Sequence, residues 1–177
     1  MSVKIFISHK QEDAGKAETV ADYIKKEYGF ETYVDTLDDG IRPYANITDR
    51  IIGKLRDTTH LLVIFSEKTV ESMWVPFELG VSYEREQGIG VLIWPDGTNI
   101  DYKLPEYLNE FPKLKCEKKS SSDNCDVEDL NKYLDEVKAN PNKRILLESM
   151  ESLGMRKTAS EVNYAREFID RLNRKLH

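Results

Sequence analysis

The chain has 177 residues, the length of one domain or of one domain with a small addition. Lysine and arginine total 26 and aspartate and glutamate total 32, so the formal net charge is −6 at pH 7. That sign argues against nucleic acid as a partner, because proteins that bind nucleic acid neutralise its phosphates with basic side chains. Hydrophobic residues make up 40% of the chain and charged residues 33%, which is typical of a globular protein and not of a disordered one.

The N-terminal segment predicts neither a secretory signal nor a membrane anchor. The sequence enters a strand-like apolar run at 4–7 without a basic region and a longer apolar stretch before it. The longest unbroken apolar run, 61–65, is far shorter than the roughly 20 residues that cross a bilayer. We therefore expect a cytoplasmic protein with no membrane partner.

Cysteine and histidine usage gives no support to a metal site or a disulfide scaffold. Cys116 and Cys125 lie in a polar stretch without neighbouring histidines, and we expect both to be free thiols. The histidines, His9, His60 and His177, are scattered along the chain. No metal and no cofactor are predicted.

Strand-like and helix-like segments alternate along the chain. In chain order, the predicted elements are a strand at 4–7, a helix ended by Gly29, a strand at 30–34, a helix through 47, 51 and 55, a strand at 60–66, a helix from about 72 to 86, a strand at 90–94 and a weak fifth strand at Leu114. The 60–66 run does not alternate, which is typical of a strand covered on both faces. The alternation predicts an α/β fold, an open and mostly parallel sheet with helices on both faces.

The C-terminal part of the sequence is predicted to be helical. After a polar loop at 115–126, Leu130, Leu134 and Val137 recur at helical spacing until Asn140-Pro141 ends the helix. Two further helices are predicted at 145–153 and 162–176. We divide the chain into one domain at 1–139 and a helical extension at 140–177.

The sheet predicts where a ligand would bind. In a doubly wound sheet of order 2-1-3-4-5, ligands bind beyond the carboxyl ends of the strands, between strands 1 and 3. Residues 8–10 follow the first strand, and the segment from Ser66 to Glu78 follows the third. Trp74 and Glu78 are four residues apart, so they share one face at the start of a helix.

Four features, in this order, resemble the toll/interleukin-1 receptor (TIR) domain family. They are the opening Phe-Ile-Ser-His at 6–9, the loop at 35–44, the Trp74-x-x-x-Glu78 motif and the strand that ends at Trp94. The resemblance covers about residues 1–139 and implies a flavodoxin-like doubly wound sheet of about five strands. For many bacterial and plant members it also implies cleavage of NAD+ at the nicotinamide–ribose bond. The format is similar to that of stand-alone TIR proteins of Thoeris-type antiphage systems.

The resemblance also implies the site residues. Glu78 is the essential carboxylate, with Trp74 and Phe77 beside it, and Trp94 is the aromatic residue that stacks on adenine in members with cyclic products. The 35–44 segment corresponds to the BB loop, which mediates assembly and flanks the pocket, so a homo-oligomer is expected. The other predicted substrate-binding residues are Ser8, His9, Lys10, Asp35, Gly40 and Tyr44. His9 and Lys10 stand where relatives often have an aromatic residue and an arginine.

One carboxylate is chemically sufficient for this reaction. Glycoside hydrolysis ordinarily needs a second carboxyl group to protonate the leaving group. Nicotinamide already carries a positive charge in NAD+ and leaves neutral, so a single anion near the ribose is enough. NAD+ is then the substrate and not a cofactor, and the product is ADP-ribose or a cyclic ADP-ribose isomer that a downstream effector could sense.

Other functions remain open from the residues. On spacing alone, Trp74 and Trp94 would be core residues and Glu78 a surface residue. A non-catalytic TIR adaptor would use the same fold for homotypic contacts, and a nucleoside deoxyribosyltransferase also combines this fold with a reactive glutamate. A phospho-receiver domain needs an aspartate where this chain has Ser66. The sequence has neither a P-loop nor a Gly-x-Gly-x-x-Gly turn, which argues against an NTPase or a hydride-transfer enzyme.

Overall fold

Alternating strands and helices form the secondary structure. A computed structural model describes residues 2–34, 47–94, 104–116, 127–140 and 164–177. In chain order its strands and α-helices are β1 (Lys4–Ser8), α1 (Ala14–Tyr28), β2 (Glu31–Val34), α2 (Ile47–Asp57), β3 (His60–Phe65), α3 (Trp74–Glu84), β4 (Gly88–Ile93), β5 (Lys113–Lys115), α4 (Glu128–Ala139) and α5 (Tyr164–Leu176).

The strands build one parallel sheet, as predicted. Its order among the described residues is β2-β1-β3-β4-β5, and every neighbouring pair is parallel. β3 lies in the centre and all of its residues are buried, which explains its continuous apolar sequence. The prediction of a flavodoxin-like doubly wound α/β fold is confirmed.

Each face of the sheet packs against its own helices. Ile5, Ile7, Leu62 and Ile64 point to the face covered by α1, α4 and α5. The intervening strand residues, such as Phe6, point to the face covered by α2 and α3. This division follows from the alternation of side chains along a strand, and it decides which polar side chains meet at the strand ends.

Several predicted boundaries shift by one or two residues. Gly29 ends α1 in the left-handed conformation, with φ of 67°, as glycine does readily at this position. α3 begins at Trp74 and not near 72, so Pro76 lies in its first turn, where its missing N–H is harmless. β4 begins at Gly88, two residues earlier than predicted, and its glycines allow neighbouring rings to approach the strand closely. A Cβ on Gly88 would lie 2.5 Å from the ring of His60.

The C-terminal helix α5 packs onto the α4 side of the sheet. Phe168 and Leu172 are fully buried in the core there. Glu136 on α4 is also buried. Its carboxylate oxygens form ion pairs with two side chains of α5, at 2.6 Å from Arg171 Nε and 2.6 Å from Lys175 Nζ. Desolvation by itself would raise the pKa of Glu136, but the hydrogen bonds and charges of Lys175 and Arg171 outweigh it, so the pKa is lowered. The domain boundary at 139 stays a prediction, and the predicted helix at 145–153 lies outside the described residues.

The expectation of free thiols is wrong for Cys116. This residue is buried beside β5 and takes part in a disulfide. Spacing in a polar loop carries no information on whether two thiols come within bonding distance, which the fold decides. Cys125, the other cysteine of the chain, lies outside the described residues.

The helices of the described segments were compared with what a bilayer requires. None of these helices combines the length and the apolar character of a membrane span.

We expect the stability of the fold to fall in mild acid because of His60. Its imidazole is buried, and desolvation lowers its pKa to about 3 from the ordinary 6.5. The unfolded chain therefore takes up a proton below pH 6.5 that the folded chain refuses. The free energy of unfolding should drop by about 2 kcal/mol between pH 7 and pH 5, measured by urea unfolding.

The control is a His60→Gln variant, which should lose little stability over the same interval. An equal pH dependence in wild type and His60→Gln would contradict this interpretation.

Candidate active site

Glu78 lies on α3 at the carboxyl edge of the sheet. A short 3-10 helix at Glu67–Glu71 leads from the end of β3 to this helix. Val75 and Leu79, which flank Glu78 on α3, are buried against the sheet. Glu78 lies on the same buried side of α3 as these residues, so its carboxylate is also buried, and Glu78 is only 3% exposed. A surface position, which spacing alone would suggest, is therefore wrong for Glu78.

Ser8 is in direct contact with this carboxylate. It is the last residue of β1, and its side chain points to the same face as Phe6, toward α3. Its hydroxyl donates a short hydrogen bond to Oε2 of Glu78, and Ser8 is itself buried. A buried carboxylate needs such donors because they replace lost water. The structure thus joins two of the predicted site residues.

His9 and Lys10 continue from Ser8 at the mouth of the same edge. Both are half-buried, and His9 Nδ1 lies 3.3 Å from the carbonyl oxygen of Ile7. Lys10 Nζ lies 3.4 Å from a carboxylate oxygen of Glu12 and 3.8 Å from one of Glu71. The first loop therefore carries a cation that two carboxylates hold at the strand ends.

Trp74 and Phe77 flank Glu78 on α3. Their rings meet edge to face, with centroids 6.0 Å apart, and both are partly buried against the core below α3. Edge-to-face pairs of this kind are favourable for packing. Because both residues are only partly buried, part of each ring stays exposed beside Glu78.

Trp94 lies on the other face of the sheet. It follows β4 with the orientation of Leu92, in the core formed with α1, α4 and α5. Its indole is 8% exposed, and the ammonium of Lys16 lies 5.8 Å from the ring centroid. The structure does not bring Trp94 together with Glu78, and its predicted contact with adenine stays a prediction. Asp35, Gly40 and Tyr44 lie outside the described residues.

The sequence analysis missed a second buried polar pair at this edge. Asp13 Oδ2 accepts a hydrogen bond of 2.5 Å from Ser66 Oγ, and both side chains are buried. In the sequence, Ser66 marks the start of the segment after the third strand and argues against a phospho-receiver, but nothing there pairs it with Asp13. Their positions in the sequence could have indicated this pair, since each of the two residues follows a strand that ends at this edge. Among the described residues, no group of histidine, cysteine, aspartate and glutamate could hold a metal ion.

Comparison with known proteins defines the family. The family model for the TIR domain matches residues 5–130, which include both strands and the helix that build this edge. The chain belongs to the TIR domain family.

One curated relative comes from Bacillus cereus (strain MSX-D12) and is named "Probable 3' cyclic ADP-D-ribose synthase ThsB'". It is 29% identical over 113 residues, which are 61% of this chain and 58% of the relative. The match therefore spans little more than half of that protein.

Two solved structures are similar at low identity. The TIR domain of the Toll-related receptor TRR-2 from Hydra magnipapillata is 15% identical, with a TM-score of 0.49 over 63% of this chain and 82% of that chain. The TIR domains of the activated Roq1 resistosome are 15% identical, with a TM-score of 0.40 over 98% of this chain and 84% of that one.

The contact between Ser8 and Glu78 can be measured as a coupling energy. Ser8→Ala should lower the free energy of unfolding by about 1.5–3 kcal/mol, because a buried carboxylate loses a donor. Glu78→Gln should cost less in the Ser8→Ala background than in wild type, since the two residues interact. Urea unfolding of the two single variants and the double variant measures this difference. Ser8→Ala combined with Glu84→Gln, at an exposed position of α3, should be additive. Additivity in the Ser8–Glu78 cycle would contradict the contact.

Proposed function

We propose that this protein cleaves NAD+ at the bond between nicotinamide and ribose, in the cytoplasm. One observation carries the proposal. The carboxylate of Glu78 is buried at the carboxyl edge of the sheet and accepts a hydrogen bond from Ser8, next to the first loop. This is the edge at which doubly wound folds bind ligands.

Family membership and the named relative support the same activity. The relative from Bacillus cereus is named as a probable 3' cyclic ADP-ribose synthase. A cyclic ADP-ribose would form from NAD+ once this bond is broken. Because the match spans 58% of that protein, the carry-over to this chain is our proposal. The buried carboxylate of Glu78 supports the same activity independently of sequence identity to that relative.

The proposed step needs one anion and no acid. The bond between C1′ of the ribose and the nicotinamide nitrogen breaks, and its electron pair goes to that nitrogen. The pair cancels the positive charge of the pyridinium ring, so nicotinamide leaves neutral and takes no proton. Positive charge then develops on the ribosyl carbon, where an oriented carboxylate stabilises it more than water would.

The chain's residues divide this task. Glu78 faces the ribose and stabilises the developing cation, while the hydroxyl of Ser8 holds the carboxylate in one orientation. Lys10 is suited to a phosphate of the dinucleotide, since an ammonium binds phosphate as a point charge. Trp74 and Phe77 shield the reaction from water, which strengthens the electrostatic term.

The fate of the ribosyl cation decides the product. Water can add at C1′ and lose a proton, which gives ADP-ribose. A nucleophilic atom of the same molecule can add instead, which gives a cyclic isomer, and effective molarities for well-oriented internal groups reach about 10⁵–10⁸ M. We propose that the product is a diffusible immune signal, read by a downstream effector in antiphage defence of the Thoeris type. Assembly of several copies through the loop at 35–44 is part of the same proposal.

Glu78→Gln should abolish nicotinamide release while the protein stays folded. The amide keeps the shape of the side chain but removes the anion, so the rate should fall by at least about 10²-fold. Chromatography of NAD+ incubated with purified protein measures the released nicotinamide. Glu84→Gln, at an exposed position on the same helix, should keep wild-type turnover. Near-normal turnover in Glu78→Gln would refute the assignment.

The same assay separates the alternatives. Wild-type protein that leaves NAD+ intact at high concentration but self-associates would be a non-catalytic adaptor. Protein that ignores NAD+ and exchanges the bases of deoxynucleosides would be a deoxyribosyltransferase.

The sequence-based role of Trp94 has its own test. Because its indole packs on the face opposite to Glu78, we expect Trp94→Phe and Trp94→Leu to have the same ratio of cyclic to linear product. Both variants should lose stability, since each leaves space in the core. A lower ratio in Trp94→Leu than in Trp94→Phe would assign the aromatic ring to the substrate instead.

A further inference from the structure

Two loops at the carboxyl edge are tied together below the surface. The first runs from β1 to α1 and carries His9 and Lys10. The second runs from β3 to α3 and leads to Glu78. The hydrogen bond of 2.5 Å from Ser66 Oγ to Asp13 Oδ2 joins them, and we call this contact the Asp13–Ser66 link. Both residues are at most 1% exposed.

Each end of the link also fixes its own loop. The backbone N–H of Asp13 donates to the carbonyl oxygen of Lys10 at 2.8 Å, which closes the turn that presents Lys10. Ser66 caps the short 3-10 helix of the second loop: its hydroxyl accepts from the N–H of Lys68 at 3.2 Å, and its N–H donates to the hydroxyl of Thr69 at 3.0 Å. A displacement of one loop is therefore transmitted to the other through two buried side chains.

The charge of Asp13 is compensated inside the structure. Lys16 Nζ lies 2.7 Å from Asp13 Oδ1, so the buried carboxylate has a cation and a hydroxyl as partners. A second contact between the loops, Lys10 Nζ to Glu71 at 3.8 Å, involves a highly exposed carboxylate. Exposed pairs of this kind contribute little, so the buried link sets the spacing of the loops.

We propose that Asp13 and Ser66 are positioning residues for the dinucleotide. The link holds the first loop at a fixed distance from α3, so that His9 and Lys10 meet one part of the substrate while Glu78 meets the ribose. This inference rests on the proposed NAD+ cleavage. It concerns binding more than the chemical step, because the link lies on the α1 side of the sheet and leaves the contact between Ser8 and Glu78 intact.

The kinetic test separates binding from chemistry. Ser66→Ala and Asp13→Ala should each raise KM for NAD+ about tenfold, the size of one charge-assisted hydrogen bond, with kcat within about twofold of wild type. The double variant should be no worse than the worse single variant, since both changes break one link. Ser82→Ala is the matched control. It removes another buried hydroxyl, one turn beyond Glu78 and without a hydrogen-bond partner among the described residues, and should leave KM unchanged.

A second readout does not depend on activity. Native-state hydrogen exchange should show a faster amide at Asp13 in Ser66→Ala and a faster amide at Thr69 in Asp13→Ala. Lys16→Gln removes the ammonium that lies beside Asp13 and the ring of Trp94 but keeps both side chains of the Asp13–Ser66 link, and it should affect the amide of Thr69 less than Asp13→Ala does.

The kinetic and exchange measurements can contradict the two proposals separately. An unchanged KM in both link variants, or faster exchange confined to the substituted loop, would overturn the link as a positioning device. Wild-type protein that does not cleave NAD+ would overturn the proposed function and the role of the link in it, while the exchange data would still decide whether the loops are coupled.

Discussion

The buried carboxylate of Glu78 is the constraint on which the carboxyl edge of the sheet depends. An ionisable group at 3% exposure is expensive to desolvate and needs donors in place of water. Ser8 supplies one of them from the end of β1, so strand β1 and helix α3 must keep a fixed distance and register. The continuous apolar strand β3 provides this, because it anchors β1 on one side and leads into α3 at its end.

The alternation of side chains divides the polar residues of this edge between the two faces of the sheet. Ser8 points toward α3, whereas Ser66 meets Asp13 on the α1 side. Neighbouring strands thus contribute one hydroxyl to each side, and each hydroxyl binds a buried carboxylate. The two faces are consequently fixed by similar chemistry, but only the pair on the α3 side lies beside the aromatic residues Trp74 and Phe77.

The sequence was informative where one local signal dominates. The unbroken run of β3 predicts the central strand, and Gly29 predicts the end of α1. The β-α alternation predicts an open parallel sheet, and the family resemblance implies its flavodoxin-like form. Burial of Glu78 could not be predicted from spacing, because it depends on how α3 rotates onto the sheet. The face of Trp94 was equally hidden, since a strand covered on both sides is apolar in both directions. Asp13 and Ser66 are far apart in sequence, and only the fold brings them together.

A second buried carboxylate shows why burial alone does not define a site. Glu136 is as buried as Glu78, but Arg171 and Lys175 both bind it and cancel its charge between α4 and α5. A ribosyl cation would have to displace those two side chains to reach the carboxylate. At Glu78, the hydroxyl of Ser8 donates a hydrogen bond to the carboxylate from the end of β1 and orients it. A carboxylate held in one orientation is the feature that stabilises positive charge developing on a neighbouring carbon.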